Sequence, residues 1–584
     1  MVERESIRAS SINETLNHLH ENDDYSVEDS MLPSTSPFRG VTVLKGPNDS
    51  AKIIFLTICL AGLQFTWTVE MAYGTPYLLD LGLSKAYMSL VWIAGPLSGL
   101  LMQPIVGVIS DGWTSRWGRR RPFLLGGSVI VVISLFVIGW TKELTNLFIG
   151  ETEGDTFKKV SIFLAIVAIY ILDFSVNCVQ ASCRALIVDS LPPSQQEDGT
   201  AWAGRMVGLG NVAGYFMGYA NLVQIFSFFG DTQLKVLCVF ASIALIVCDI
   251  ITCYAVREKV LLKPIEKSNK SPFAFFSDIF HNVWNLPTPI QRICNVQFFA
   301  WIGWFPFLFY STTWVAEIYK KSEAEEGGSV GDKMTQGTRA GSFAFLVYSL
   351  VSLSASFVLP LIVRPSMYAP DITQGRFTNI TKYLRVNWLT LPRAWTISHI
   401  IFCTCMLSTF LVSDVTAAAI VIGLCGISWA ISMWAPFSLL GEYVSQRDQA
   451  ITEEENDDSA IDHFPNKINV VSSSMGTTDG NMYQLAPSEH DADIEMTSTS
   501  HFIGAEDPVQ HQPKHCTEPA AGVLLGIHNM YVVLPQFLVT FFSSIVFKLL
   551  ENKEGTTDAI GVVLRFGALM AGVAAFISLK IGRT

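Results

Sequence analysis

The chain has 584 residues, 50% of them hydrophobic and only 15% charged. Soluble domains carry about 25% charged residues, so this balance excludes an ordinary water-soluble fold and points to lipid. The net charge of −12 gathers in the N-terminal tail and in one acidic stretch after position 445, so it says nothing about a ligand.

Apolar blocks of about 20–28 residues, each long enough to cross a hydrocarbon core as a helix, fall near 53–79, 87–110, 122–141, 160–188, 201–228, 234–256, 292–318, 338–363, 388–411, 415–444, 520–549 and 557–579. The expected fold is an all-α membrane protein of twelve transmembrane helices. Residues 1–51 are polar and lack a leader-like apolar run, so they read as a disordered cytoplasmic tail. Residues 52–256 make a first six-helix bundle, 257–291 a linker, and 292–580 a second bundle. Within the second, 446–518 is acidic and poor in large apolar residues, and reads as a disordered loop. His511, His515 and Cys516 lie there without a frame that would hold a metal, so no metal or other cofactor is expected.

The first span carries Glu70 in FTWTVEMAYGTPY, with Trp67 and Tyr73 close by. Charge at depth is costly, so such an acid faces a cavity or a partner. After the second span comes GVISDGWTSRWGRRRPF, residues 107–123. Its arginines Arg116, Arg119, Arg120 and Arg121 mark a cytoplasmic loop. Asp111, the glycines Gly107 and Gly118, and the following proline suggest more than an anchor: a gate of ion pairs that form in one state and break in another. Asp189, at the inner end of the fourth span, is a further partner.

Along the fourth span Asp173, Asn177, Gln180 and Arg184 recur at i, i+4, i+7 and i+11, one stripe of a helix. Asp173 is near mid-span and is the leading candidate for carrying a proton; Arg184 lies about 16 Å further along and needs another partner. Arg257, Lys259, Lys263, Lys267 and Lys270 follow the sixth span, against Lys85 alone between spans one and two, so both termini are expected in the cytoplasm. Gly204, Gly208 and Asn211 in the fifth span match the spacing of Gly522, Gly526 and Asn529 in the eleventh, and Asp189 has a counterpart in Glu442. These correspondences suggest two bundles around a midplane site.

The 107–123 cluster resembles the loop of major facilitator transporters, and SRWGRRRPF is similar to its sucrose-transporter variant. The likeness continues through WIAGPLSGLLMQPIVGVISD, LDFSVNCVQASCRA and FFAWIGWFPFLFYSTTW, and covers nearly all of 52–580. The chain thus resembles the glycoside-pentoside-hexuronide:cation symporters, in the branch of sucrose transporters and fungal alpha-glucoside permeases. The resemblance implies proton-coupled import of a disaccharide, maltose or sucrose, with no enzymatic activity and no nucleic acid partner. It also assigns Arg184 to transport. Under that reading Asp173 and Glu70 handle the proton. Glu70, Trp67, Tyr73, Gln103, Asn177, Gln180, Arg184, Asn211, Trp304 and Asn529 surround the sugar. One departure stands out: Thr313 occupies a position where plant sucrose transporters have an acid. The expected location is the plasma membrane, with the vacuolar membrane and a non-transporting sugar sensor as alternatives.

Overall fold

A computed structural model describes residues 38–150, 154–192, 195–262, 286–322, 330–364, 385–461, 521–551 and 558–581. Among these residues the long helices are α1 (Asp49–Asp80), α2 (Lys85–Asp111), α3 (Arg121–Gly139), α4 (Asp155–Ser190), α5 (Gln196–Tyr219), α6 (Gln233–Ala255), α7 (Thr288–Ser322), α8 (Val330–Ile362), α9 (Leu391–Ser408), α10 (Val415–Tyr443), α11 (Ala521–Glu551) and α12 (Ala559–Ser578). Ten are long and apolar enough to cross a membrane. The other two are α5, which carries Glu197, Asp198 and Arg205 among its glycines, and α9, only 18 residues long with Arg393 and His399.

Proline sits inside α1, α2, α7, α8, α10 and α11, at Pro76, Pro104, Pro306, Pro360, Pro436 and Pro535. Packed membrane helices tolerate this because neighbours and hydroxyl side chains satisfy the freed backbone groups. Within the first half α1 packs on α5 and α6, and α4 on α2 and α3; within the second, α12 packs on α7 and α9, and α7 on α8 and α11. The halves meet along α5–α8, α2–α11 and α1–α7.

Close approach explains many glycines. A Cβ at Gly210 would stand 2.5 Å from the Ala61 carbonyl oxygen, at Gly341 2.5 Å from that of Thr312, and at Gly303 2.6 Å from that of Gly567. These residues let helix backbones touch, as small residues do where no hydrophobic drive separates protein from lipid.

Parts of two segments expected to be irregular carry secondary structure over their described residues. Strand β1 (Phe38–Arg39) pairs antiparallel with β4 (Val260–Leu261), and β2 (Val43–Leu44) with β3 (Val256–Arg257). Asn48 caps α1 by accepting from the Ala51 N–H at 2.8 Å. The end of the tail is therefore held by backbone pairing that its polar composition does not advertise. Ser445–Ala520 form a separate unit, helical over its described residues up to Ile461. Its Gln, Arg, Glu and Ala are good helix formers, which outweighs their polarity. The fifth helix also ends earlier than the apolar run suggests, at Tyr219, followed by the short helix Leu222–Ile225. His511, His515 and Cys516 lie outside the described residues.

Candidate functional site

Glu70 on α1 and Asp173 on α4 are 5% and 1% exposed, and all four of their carboxylate oxygens are buried without a hydrogen-bond partner among the described residues. The two helices that carry them, α1 and α4, pack against each other. Each stands in an apolar stretch of its helix, yet among the described residues neither forms an ion pair. A charged side chain at depth needs a partner or a cavity, so two carboxylates with no oxygen bonded mark a candidate site.

Of the α4 stripe, Asp173, Asn177 and Gln180 are buried. Asn177, 3% exposed, donates to Ser98 Oγ on α2 at 2.9 Å and to the Asp173 carbonyl at 3.0 Å. Gln180 is also buried, whereas Arg184 is exposed. On α1 the half-buried Trp67 has an indole N–H with no acceptor. Gln103 and Asn529 are half-buried on α2 and α11.

Other expected contacts are spent on packing. The Tyr73 hydroxyl donates to the Gly218 carbonyl at 2.6 Å, joining α1 to α5. Asn211 Oδ1 accepts from Gln64 at 2.9 Å and from Thr68 at 3.0 Å, tying the same helices. Trp304 is 1% exposed inside the aromatic core of the second half, 4.1 Å from the Phe402 ring centroid and 5.1 Å from that of Trp429. Its ring is packed against α9 and α10.

The pair of acids is roofed on the side of the 80–85 turn. Trp92 Nε1 donates to Thr75 Oγ1 at 3.1 Å, Thr75 donates to the Phe309 carbonyl at 3.1 Å, and the Trp92 and Phe309 rings lie 4.4 Å apart. Around this roof Lys85 pairs with Glu317, Ser544 donates to the Ala86 carbonyl at 2.9 Å, and Arg339 donates to the Tyr219 carbonyl at 2.8 Å. The two halves are thus locked together at that end.

At the other end of α2 the basic loop builds an ion-pair cluster. Arg120 reaches Ser110 and Asp111 and pairs with Asp189 at 2.8 Å; Arg119 pairs with Asp189 at 3.0 Å and lies 3.8 Å from Asp111. Arg121 turns away, donating to the Cys253 carbonyl at 3.0 Å. Arg116 is exposed, Glu442 is half-buried on α10, and Gly107 lies within regular helix. Gly118 has φ +102°, and a Cβ there would stand 2.6 Å from the Glu258 carboxyl carbon, so only glycine fits.

Glu258 itself escapes a reading of the sequence. Its carboxylate accepts the backbone N–H groups of Arg119, Arg120 and Arg121 at 2.7, 2.9 and 2.9 Å, so it fixes the backbone on which the cluster hangs. Nothing in REKV signals this, since the residue lies after α6 and only the fold brings it to the loop. Asp249 is different. It is buried in mid-α6 beside Ser128, and the rule that marks Asp173 would have marked it.

The major facilitator superfamily model matches residues 54–452. The chain is 34% identical to the general alpha-glucoside permease of Schizosaccharomyces pombe, over 90% of this chain and 92% of that protein. It is 32% identical to the sucrose transport protein SUC4 of Arabidopsis thaliana and 31% identical to SUT2 of Oryza sativa subsp. indica. Each of these matches spans 54% of this chain and somewhat under two thirds of the relative, 64% and 65%. A crystal structure of a D-xylose-proton symporter shares the fold at a TM-score of 0.51 and 13% identity, covering 91% of this chain and 97% of that one.

Proposed function

The chain belongs to the major facilitator superfamily, and from that premise we propose that it is a proton-coupled symporter that imports an alpha-glucoside disaccharide, maltose or sucrose, by alternating access. The observation that carries the proposal is the pair Glu70 and Asp173, buried near mid-span without partners. Two carboxylates at such a site are costly unless a proton or a set of hydroxyl donors satisfies them, and a sugar–proton symporter brings both. The permease and sucrose-transporter relatives supply the substrate class.

Each group then has a role. Asp173 takes and releases the proton. Glu70 accepts sugar hydroxyls, Trp67 offers its free indole N–H and ring face, and Asn177, Gln180, Gln103, Arg184 and Asn529 complete the polar wall. The Trp92–Thr75–Phe309 roof closes the site on the 80–85 side, and the Asp111–Arg119–Arg120–Asp189 cluster holds α2, α3 and α4 as one rigid body that must move when the opposite side opens or shuts. With both termini in the cytoplasm and the protein in the plasma membrane, the roofed side faces outward. α5 and α9, both packed among the ten apolar helices, complete twelve spans. The reading leaves no place for an enzymatic step, because its acids serve binding and proton transfer alone.

The test is sugar-driven proton movement in sealed vesicles containing the purified full chain. Maltose or sucrose added outside should draw protons inward in step with labelled sugar. Saturable sugar binding with neither sugar nor protons entering would replace this reading with that of a sensor.

A further inference from the structure

Residues 38–45 precede the first span, yet they are tied to the segment that follows the sixth. Phe38 and Arg39 stand opposite Leu261 and Val260, and Val43 and Leu44 opposite Arg257 and Val256. The Lys45 N–H donates to the Ala255 carbonyl at 2.8 Å, and the Lys45 ammonium lies 4.2 Å from the Tyr254 ring centroid. Short strand pairs are marginal by themselves. Here Leu44, half-buried, also packs on the hydrophobic core, and Asn48 caps α1 just beyond. Glu258 lies between the two strands that the tail holds. It is 7% exposed, and its carboxylate takes the backbone N–H groups of Arg119, Arg120 and Arg121. The tail therefore grips the segment whose acid carries the ion-pair loop, and a carboxylate holds a loop only as firmly as its own backbone is held.

Resting on the symporter reading, we propose that residues 38–45 are a strap that positions Glu258, and through it the Arg119–Arg120 cluster, so that the start of α1, the start of α3 and the end of α6 move as one body during turnover. The cluster itself joins α2, α3 and α4 through Asp111 and Asp189. The strap adds α1 and α6 to that body, because β2 leads into α1 and β3 follows α6 directly. It also fixes the point from which the linker leaves the first half. Lys45 and Glu258 are positioning residues: they touch neither the sugar site nor the pair Glu70 and Asp173, and they act on the rate at which the halves exchange rather than on affinity.

The experiment measures maltose or sucrose turnover and equilibrium binding by the full chain in proteoliposomes, for wild type, Lys45→Ala, Lys45→Pro, Glu258→Gln and the double variant of the last two. Lys45→Ala keeps the backbone N–H and loses only the side chain; Lys45→Pro has no N–H to give to Ala255. Loss of one backbone hydrogen bond corresponds to about a threefold to tenfold effect. Lys45→Pro should lower kcat by that factor relative to Lys45→Ala, with Kd for the sugar kept within about twofold. Glu258→Gln loses a charge-assisted acceptor and should lower kcat about tenfold or more. Because the strap acts through Glu258, the double variant should be no slower than Glu258→Gln alone. A mere loss of folded protein would lower binding capacity and turnover together and leave kcat per binding site unchanged. Should Lys45→Pro yield no folded protein, Leu44→Ala, which keeps every backbone bond, takes its place and is compared with wild type. Equal kcat for the strap variant and its comparator, a fall in affinity with kcat intact, or losses that multiply in the double variant would overturn the strap. Saturable binding without sugar entry in the wild type would instead remove the symporter reading, a result distinct from wild-type transport that the strap variants leave unslowed.

Discussion

The two halves of the molecule bury different chemistry under the same helical plan. Among the described residues, every buried Asp, Glu, Lys and Arg lies in the first half or at the start of the linker that follows it: Glu70, Arg120, Asp173, Lys235, Asp249 and Glu258. The second half buries His399 and His528, a set of hydroxyls such as Thr312, Thr313, Ser428 and Ser432, and the aromatic cluster around Trp304. Buried charge is expensive in lipid and persists where it works, so under the proposed symport mechanism the proton-handling part is the first half. The second, with neutral groups and interlocked rings, reads as the wall against which it moves. Thr313 fits this division, since it keeps an acid out of the second half.

The largest effect that sharpens the contrast concerns the two tryptophans. Trp304→Ala removes a fully buried ring from a packed core and should cost about 3–5 kcal/mol of stability, visible as a large drop in melting temperature in detergent. Trp67→Ala should instead weaken sugar affinity with little change in melting temperature. A stable Trp304→Ala protein with impaired sugar binding would break the assignment of α7 to the wall.

Next comes the ion-pair cluster. Arg120→Ala removes the bonds to Ser110 and Asp111 and one of the two arginine bonds to Asp189, a loss of about 1–3 kcal/mol that should slow turnover about tenfold to hundredfold. Equilibrium sugar binding should change by less than about threefold, because the cluster lies at the far end of α2 from Glu70 and Asp173. Affinity falling with turnover intact would place Arg120 in the sugar site instead. The smallest effect belongs to Lys85 and Glu317, which join the halves at the roof but remain 26% and 27% exposed. Pairs of that exposure contribute about 0.2–1 kcal/mol, so Lys85→Ala should alter the apparent KM by no more than about fivefold.

What the sequence shows follows from the cost of burying charge. Glu70, Asp173 and the α4 stripe stand out in apolar text because lipid makes a lone acid conspicuous, and the structure leaves those two acids unpartnered. Asp111, Arg119, Arg120 and Asp189 stand out as a cluster of opposite charges at helix ends, and they meet. Side-chain direction around a helix is less legible. Tyr73 and Asn211 are spent joining α1 to α5, and Trp304 faces α9 and α10, because any aromatic or amide in a span suits packing as well as ligand binding. Glu258 and the strands at 38–44 depend on contacts between segments more than a hundred residues apart, which no local pattern encodes.

The central claim is that Asp173 links proton movement to sugar movement. Asp173→Asn keeps the size and much of the hydrogen bonding of the protonated side chain but cannot exchange a proton. Measured in proteoliposomes under an imposed pH gradient at equal protein content, this variant should exchange sugar downhill at a rate nearly independent of pH and fail to accumulate it. An accumulation ratio equal to that of the wild type would contradict the account and move the coupling role to Glu70.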